Sequence, residues 1–111
     1  MAGQLKLISG PAYLAASAAD IYTPPASTIY TVIKHIHIAN VTTSAATFTL
    51  YKGASGGSAA GTELFKGKPI AGNDSFDYYC AMKMISTDFL SGLASAATSL
   101  TITVEGEQIV V

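Results

Sequence analysis

The chain has 111 residues; half of them are hydrophobic, only 12% are charged, and the net charge is −1. This length fits one domain, so we expect residues 1–111 to form a single one. Arginine is absent and the six Lys are scattered, which argues against a nucleic-acid partner because neutralising phosphates requires clustered cations.

The sequence of the N-terminal region predicts short strands. We expect no signal peptide there and no membrane-spanning helix in the sequence. Residues 1–6 are too short and too polar for a signal peptide, and no run approaches the roughly 18 apolar residues of a spanning helix, so we expect a soluble protein made in a cytoplasm. Strands are expected at 5–8 and 12–22, separated by Gly10 and Pro11, with 1–9 as a possible N-terminal arm.

The strongest strand pattern lies at residues 27–40, which are dense in β-branched and aromatic side chains and contain neither Gly nor Pro. Simple alternation places Ile33, His35 and His37 on one face. Both faces are partly apolar near the middle, which predicts a long central strand that bends there.

The segment 47–52 alternates and predicts a strand with Phe48 and Leu50 pointing inward and Tyr51 outward. Residues 41–46 predict the loop of a hairpin that joins it to the preceding strand. The Gly-rich stretch 53–61 is expected to be an exposed, flexible loop.

The remaining elements follow from the same alternation and turn signals. In chain order the sequence predicts an edge strand over 63–71 broken by Gly67, a turn at 72–74, a strand at 75–84, one helical turn within 86–93, a strand at 100–104, a turn at 105–107 and a strand at 108–111. About eight short strands with turns between them predict an all-β fold, an antiparallel sandwich or barrel.

The most reactive pattern in the chain is His35-Ile36-His37, because alternate strand residues face the same way and both imidazoles could meet one metal ion. A third ligand would have to come from elsewhere, with four candidates: Asp20, Asp74, Asp77 or Asp88. The alternative is that the imidazoles line a subunit contact, where their protonation in mild acid would weaken the contact. We predict no metal, with His35 and His37 as the remaining candidates.

Catalytic machinery is not expected. No nucleophile elbow or phosphate-binding loop occurs, and Cys80 lies within an apolar strand, so we predict no catalytic residue, no cofactor and no enzyme. Outward-facing Tyr51 and Tyr79 are predicted interface anchors together with the two histidines, because a ring supplies contact area at a small entropic cost.

Two segments, 28–40 and 42–51, resemble a pattern in small virion proteins of tailed bacteriophages, in which a strand of the form Val/Ile-Lys-x-Ile-x-Ile-x-Asn leads through a Thr/Ser/Ala turn to a Val-x-Leu-Tyr strand. The later segments 70–72 and 100–104 fit the same layout. The resemblance covers about residues 20 to 104. The chain resembles the capsid-decoration type more than it resembles tail-associated proteins.

The resemblance implies a β-sandwich subunit on the capsid surface of a virion, made in the host cytoplasm. It would stabilise the capsid through contacts with itself, as a homotrimer, and with the major capsid protein. Abundant Ala, Ser, Thr and Gly suit such close packing between subunits. Two alternatives remain open, a tail or baseplate component and a carbohydrate-binding sandwich in which Tyr51 and Tyr79 stack on host sugars.

Overall fold

The computed structural model describes residues 5–53 and 62–110. Within them the chain forms eight strands, and no helix there is long and apolar enough to span a bilayer. The strands are β1 (Leu5–Tyr13), β2 (Ala19–Tyr22), β3 (Thr28–Asn40), β4 (Ala46–Gly53), β5 (Glu63–Ile70), β6 (Ser75–Met84), β7 (Phe89–Ala94) and β8 (Leu100–Val110). Of the predicted 53–61 loop, all but Gly53 lies outside the described residues, as do residues 1–4 of the predicted arm; residues 5–9 belong to β1.

The strands form two four-stranded antiparallel sheets, the first in the order β1-β8-β3-β6 and the second in the order β2-β7-β4-β5. Each strand of the first half pairs with one of the second half: β1 with β8, β2 with β7, β3 with β6 and β4 with β5. This nesting is that of one long hairpin folded over on itself, the arrangement called a jelly roll. The predicted all-β antiparallel sandwich of about eight strands is confirmed.

The core lies between the two sheets and consists of large apolar side chains contributed by both of them. Its fully buried members include Ile33, Ile36, Ile38, Phe48, Leu50, Met84, Leu90, Leu100 and Val104. Phe48 and Leu50 point inward as their alternation predicted. An aromatic group closes one side of this core, where the Phe65 ring meets Phe76 and Tyr78 edge-on at centroid distances of 5.3 and 4.9 Å.

The predicted hairpin between β3 and β4 is wrong, because the two strands lie in different sheets. Residues 41–45 instead carry the chain from one sheet to the other. Asn40 holds this crossing in place: its amide donates to the carbonyl oxygens of Ser44 (2.8 Å) and Ile70 (3.0 Å), and its oxygen accepts from the Thr42 amide and hydroxyl. All four hydrogen-bonding positions of this buried side chain are therefore used.

Four predicted interruptions are also wrong. Gly67 does not break β5, which runs from Glu63 to Ile70. The helical turn within 86–93 is absent, since a turn at 86–87 leads directly into strand β7. Gly10 and Pro11 lie inside β1, where the register against β8 shifts between Ser9 and Ala12. The supposed turn at 105–107 is the middle of β8, which runs unbroken. In the last two cases a glycine marks an irregularity of a continuous strand, not its end.

The expected bend of β3 is present as a β-bulge. Its pairing with β8 shifts register between Ile33 and His35, which leaves Lys34 as the extra residue of β3. The pairing with β6 shifts in the opposite sense at the same place, where Cys80 and Ala81 of β6 lie opposite Lys34 alone. The bulge reverses the alternation, so that Ile33 and Ile36 both face the core. The predicted common face for Ile33 and the two histidines is therefore wrong, and His35 and His37 point away from the core.

Candidate functional site

The two histidines lie near the centre of the outer face of the first sheet, where three adjacent strands contribute ionisable side chains. His35 and His37 come from β3, Asp77 from β6 and Glu105 from β8. The register places His35 opposite Glu105 on one side, and His37 opposite Asp77 on the other. We call these four residues the histidine–carboxylate cluster.

One carboxylate oxygen joins the two imidazoles. Asp77 Oδ1 lies 2.8 Å from His35 Nε2 and 2.7 Å from His37 Nδ1. On its other side, His35 Nδ1 lies 3.1 Å from Glu105 Oε1. His35 therefore stands between two carboxylates, with each of its ring nitrogens facing an oxygen.

This geometry determines the charge that is needed at His35. An ionised carboxylate only accepts hydrogen bonds, and a neutral imidazole has a single N–H to donate. Both contacts of His35 can be hydrogen bonds only when the ring carries two protons and a positive charge. The cluster thus calls for a cation at His35, whether the imidazolium itself or a bound ion.

These contacts shift the pKa values of His35 and Asp77 in opposite directions. The hydrogen bond to Glu105, followed by that to Asp77, raises the pKa of His35 above its ordinary value of 6.5, against the opposite effect of partial burial. The hydrogen bonds from His37 and then from His35 lower the pKa of Asp77 below 3.8. Opposite charges are therefore favoured at this position on the sheet.

Tyr79 covers the cluster from β6. Its ring stacks on the imidazole of His35 with a centroid distance of 4.4 Å and an angle of 4° between the planes. Strand pairing extends this contact into a row across the outer face, in which Leu7, Glu105, His35 and Tyr79 are successive neighbours. The cluster is thus flanked by apolar and aromatic side chains.

The structure brings together three of the four predicted interface residues. His35, His37 and Tyr79 are in one group, whereas Tyr51 lies in β4, on the outer face of the second sheet and so on the opposite side of the sandwich. No single contact surface on one side of the sandwich can contain both tyrosines.

Among the four candidate third ligands, only Asp77 reaches the histidines. Asp20 lies in β2 of the second sheet. Asp74 accepts from the Ser75 amide, and Asp88 accepts from the Ile85 amide and lies 3.8 Å from the ammonium of Lys52. These carboxylates serve the turns and strand ends in which they occur.

Sequence reasoning missed Glu105. Its neighbour Gly106 made residues 105–107 resemble a turn, and a turn residue would not be placed beside β3. The available signal was the unbroken alternation of residues 100–104, which predicts that the next odd-numbered residue faces outward if the strand continues.

A shallow depression between β1 and β2 is the other candidate for a binding site in the described part of the chain. Its volume is about 150 Å³ and its lining includes Ser9, Tyr13, Asp20 and Ile102. Pockets for small molecules usually measure about 300–1,000 Å³. This space is too small to support a ligand-binding role, so the histidine–carboxylate cluster remains the site to be explained.

No known family model matches the chain, and no curated protein does. Among solved structures, the chain is similar to the crystal structure of a pentameric capsid protein isolated from metagenomic phage sequences, with 17% identity and a TM-score of 0.36. The alignment covers 94% of this chain but 60% of that protein. Similarity at this level carries no conclusion about family or function.

Proposed function

We propose that this chain is a structural subunit of a tailed-phage particle that works through contacts with neighbouring subunits and needs no catalysis. Two things support the proposal: the resemblance of residues 20–104 to small virion proteins, and a jelly-roll fold, an architecture used by viral capsid domains. In its finer form, the proposal is a decoration protein that binds the capsid surface as a homotrimer in contact with the major capsid protein.

The observation that carries the proposal is the character of the outer face of the first sheet. Four large side chains on this face, Leu5, Leu7, Tyr13 and Tyr79, are between 54% and 74% exposed. A β-sheet face turned permanently toward water usually alternates polar residues outward. Exposed apolar side chains gathered on one face instead favour contact with another protein.

The carbohydrate-binding alternative loses its main support. It named Tyr51 and Tyr79 as stacking platforms, and these residues lie on opposite sides of the sandwich, so they cannot form one sugar-binding surface. The tail or baseplate alternative uses the same kind of contact face and differs in location, so the number of copies bound per particle separates it from decoration.

The first test is the solution mass of the purified protein by light scattering over a range of concentrations. We expect an oligomer, and we expect the double variant Leu7→Gln/Tyr79→Gln to weaken association at least about tenfold, since each buried anchor of an interface is worth upward of about 1 kcal/mol. The matched control is Val41→Gln, which removes a 51% exposed apolar side chain from the connection between β3 and β4.

Mixing the same proteins with expanded tailed-phage capsid shells tests the finer form. Binding in high copy number that the double variant loses supports decoration, and low-copy binding to tails would move the role to the tail. A chain that is monomeric at every concentration and binds neither shells nor tails would contradict the proposal.

A further inference from the structure

We propose that His35, His37 and Asp77 form a binding site for a divalent transition-metal ion, with Zn²⁺ as the preferred occupant, and that Glu105 positions His35 for it. The inference concerns the residues of the cluster alone and does not depend on the proposed function.

The ligand atoms are already gathered. One ligand atom from each of His35, His37 and Asp77 lies within 4.8 Å of the other two. Asp77 Oδ1 is 2.8 Å from His35 Nε2 and 2.7 Å from His37 Nδ1. In a tetrahedral zinc site with bonds of about 2.0–2.1 Å, neighbouring ligand atoms are about 3.3 Å apart. Lengthening the two oxygen–nitrogen contacts by roughly 0.5 Å and bringing the two nitrogens to the same spacing would give this geometry, through rotations of partly exposed side chains.

The hydrogen bond that His35 Nδ1 donates to Glu105 is the second, independent observation. Histidines that bind metals commonly donate their other ring N–H to a carboxylate, which fixes the tautomer and makes the ligating nitrogen more basic. His35 shows this arrangement, with Nδ1 toward Glu105 Oε1 at 3.1 Å and Nε2 toward Asp77.

The rigid support of the ligands also suits an ion. His35 and His37 stand two residues apart on a central strand of the sheet, and the bulge at Lys34 directs both outward. The stacked ring of Tyr79 restrains His35 further. With His37 and Asp77 each 39% exposed, a fourth coordination position remains open to water.

Binding of the metal ion displaces one proton from His35. The metal takes the place of the proton on His35 Nε2, which is released to solvent, while Nδ1 keeps its proton toward Glu105. His37 binds through Nδ1 and carries its own proton on Nε2. Two imidazoles and one carboxylate suit zinc and its neighbours, whereas calcium and magnesium prefer all-oxygen sites.

The test is calorimetric titration of the untagged protein with Zn²⁺, since a histidine tag would add ligands to a chain that has two His. We expect one ion per chain for the wild type. His37→Gln and Asp77→Asn should each weaken binding at least about tenfold, and Glu105→Gln, which touches only the second nitrogen of His35, by about 10–100-fold with the stoichiometry unchanged.

Two controls separate this site from unspecific binding. Cys80→Ser removes the free thiol, which lies on the inner side of β6 at 3.3 Å from the Ile33 carbonyl oxygen, and Asp74→Asn removes an exposed carboxylate outside the cluster. Neither should change the affinity. Visible absorption of bound Co²⁺ should show the intense bands of a four-coordinate site. Absence of one-to-one binding by the folded wild type, or equal binding by His37→Gln and Asp77→Asn, would overturn the inference.

Discussion

At the scale of single residues, His35 is the most informative side chain because its surroundings change the meaning of the histidine pair. From the sequence, two neighbouring imidazoles predicted repulsion on protonation in mild acid. In the structure each imidazole instead faces Asp77, and His35 also faces Glu105. Within the folded chain, protonation of His35 is therefore stabilising; an effect of acid on subunit contacts remains a prediction.

This arrangement predicts how stability depends on pH in the metal-free protein, with EDTA present. A pKa raised on folding means that the native state binds the proton more tightly, so the stabilisation is complete below 6.5 and is lost as the pH rises through the higher native value. We expect the free energy of unfolding to fall as the pH rises above 6.5. Urea unfolding at several pH values measures it.

The control for this prediction is His35→Gln, which keeps a polar side chain without a titratable ring. Its unfolding free energy should be flatter over the same pH range, whereas Asp74→Asn, outside the cluster, should retain the wild-type slope. The lowered pKa of Asp77 affects stability in acid. The stabilisation by its carboxylate is present above pH 3.8 and is lost as the pH falls through the lower native pKa. Stability that increases as the pH rises above 6.5 in the wild type would contradict the assignment.

At the scale of elements, the predicted strands were most accurate where alternation alone defines them. Strand β6 has the predicted limits, with Phe76 and Tyr78 turned toward the core as their alternation required. The predictions were wrong where a glycine was taken as the end of an element. Glycine signals a special backbone position, and the sequence alone does not distinguish a turn from a bulge or a close crossing.

Gly106 provides the sharpest test of this point. A Cβ built there would lie 2.2 Å from the Val32 carbonyl oxygen and 3.1 Å from Ile33 Cα, because Gly106 pairs with Ile33 where the bulge of β3 brings the two backbones close together. We expect Gly106→Ala to lower the free energy of unfolding by about 1–3 kcal/mol through forced movement of the backbone. Urea unfolding measures the change.

The matched control is Gly53→Ala at the end of β4. There the nearest atom to an added Cβ is the Thr62 side-chain methyl at 3.3 Å, which can move. Its effect should stay within about 0.5 kcal/mol, as for most surface substitutions. Equal effects of the two substitutions would mean that the backbones of β3 and β8 are not tightly packed beside the bulge.

At the scale of the whole molecule, the last strand completes the fold. β8 lies between β1 and β3 in the first sheet, so the first and last of the described strands are neighbours. Its inward side chains Leu100, Ile102 and Val104 are buried. Burying three such side chains contributes about 5–9 kcal/mol, a large part of the about 5–15 kcal/mol by which domains are stable.

A chain that ends at Ser99 should therefore lack a cooperative unfolding transition. Circular dichroism during urea titration measures this, and the complete chain is the reference. Adding a peptide of residues 100–110 in excess should restore part of the transition by supplying the missing strand. A truncated chain that unfolds as cooperatively as the complete one would show that β8 is dispensable.

The sequence by itself determined the class of the fold and which side chains of most strands face the core, because alternation with a period of two is a local property. It also singled out His35 and His37 and included Asp77 among the possible companions. Only the tertiary structure decided which strands pair, that β3 and β4 belong to different sheets, and that Glu105 stands beside His35. These choices depend on contacts between residues tens of positions apart, and the same alternating pattern is compatible with many such pairings.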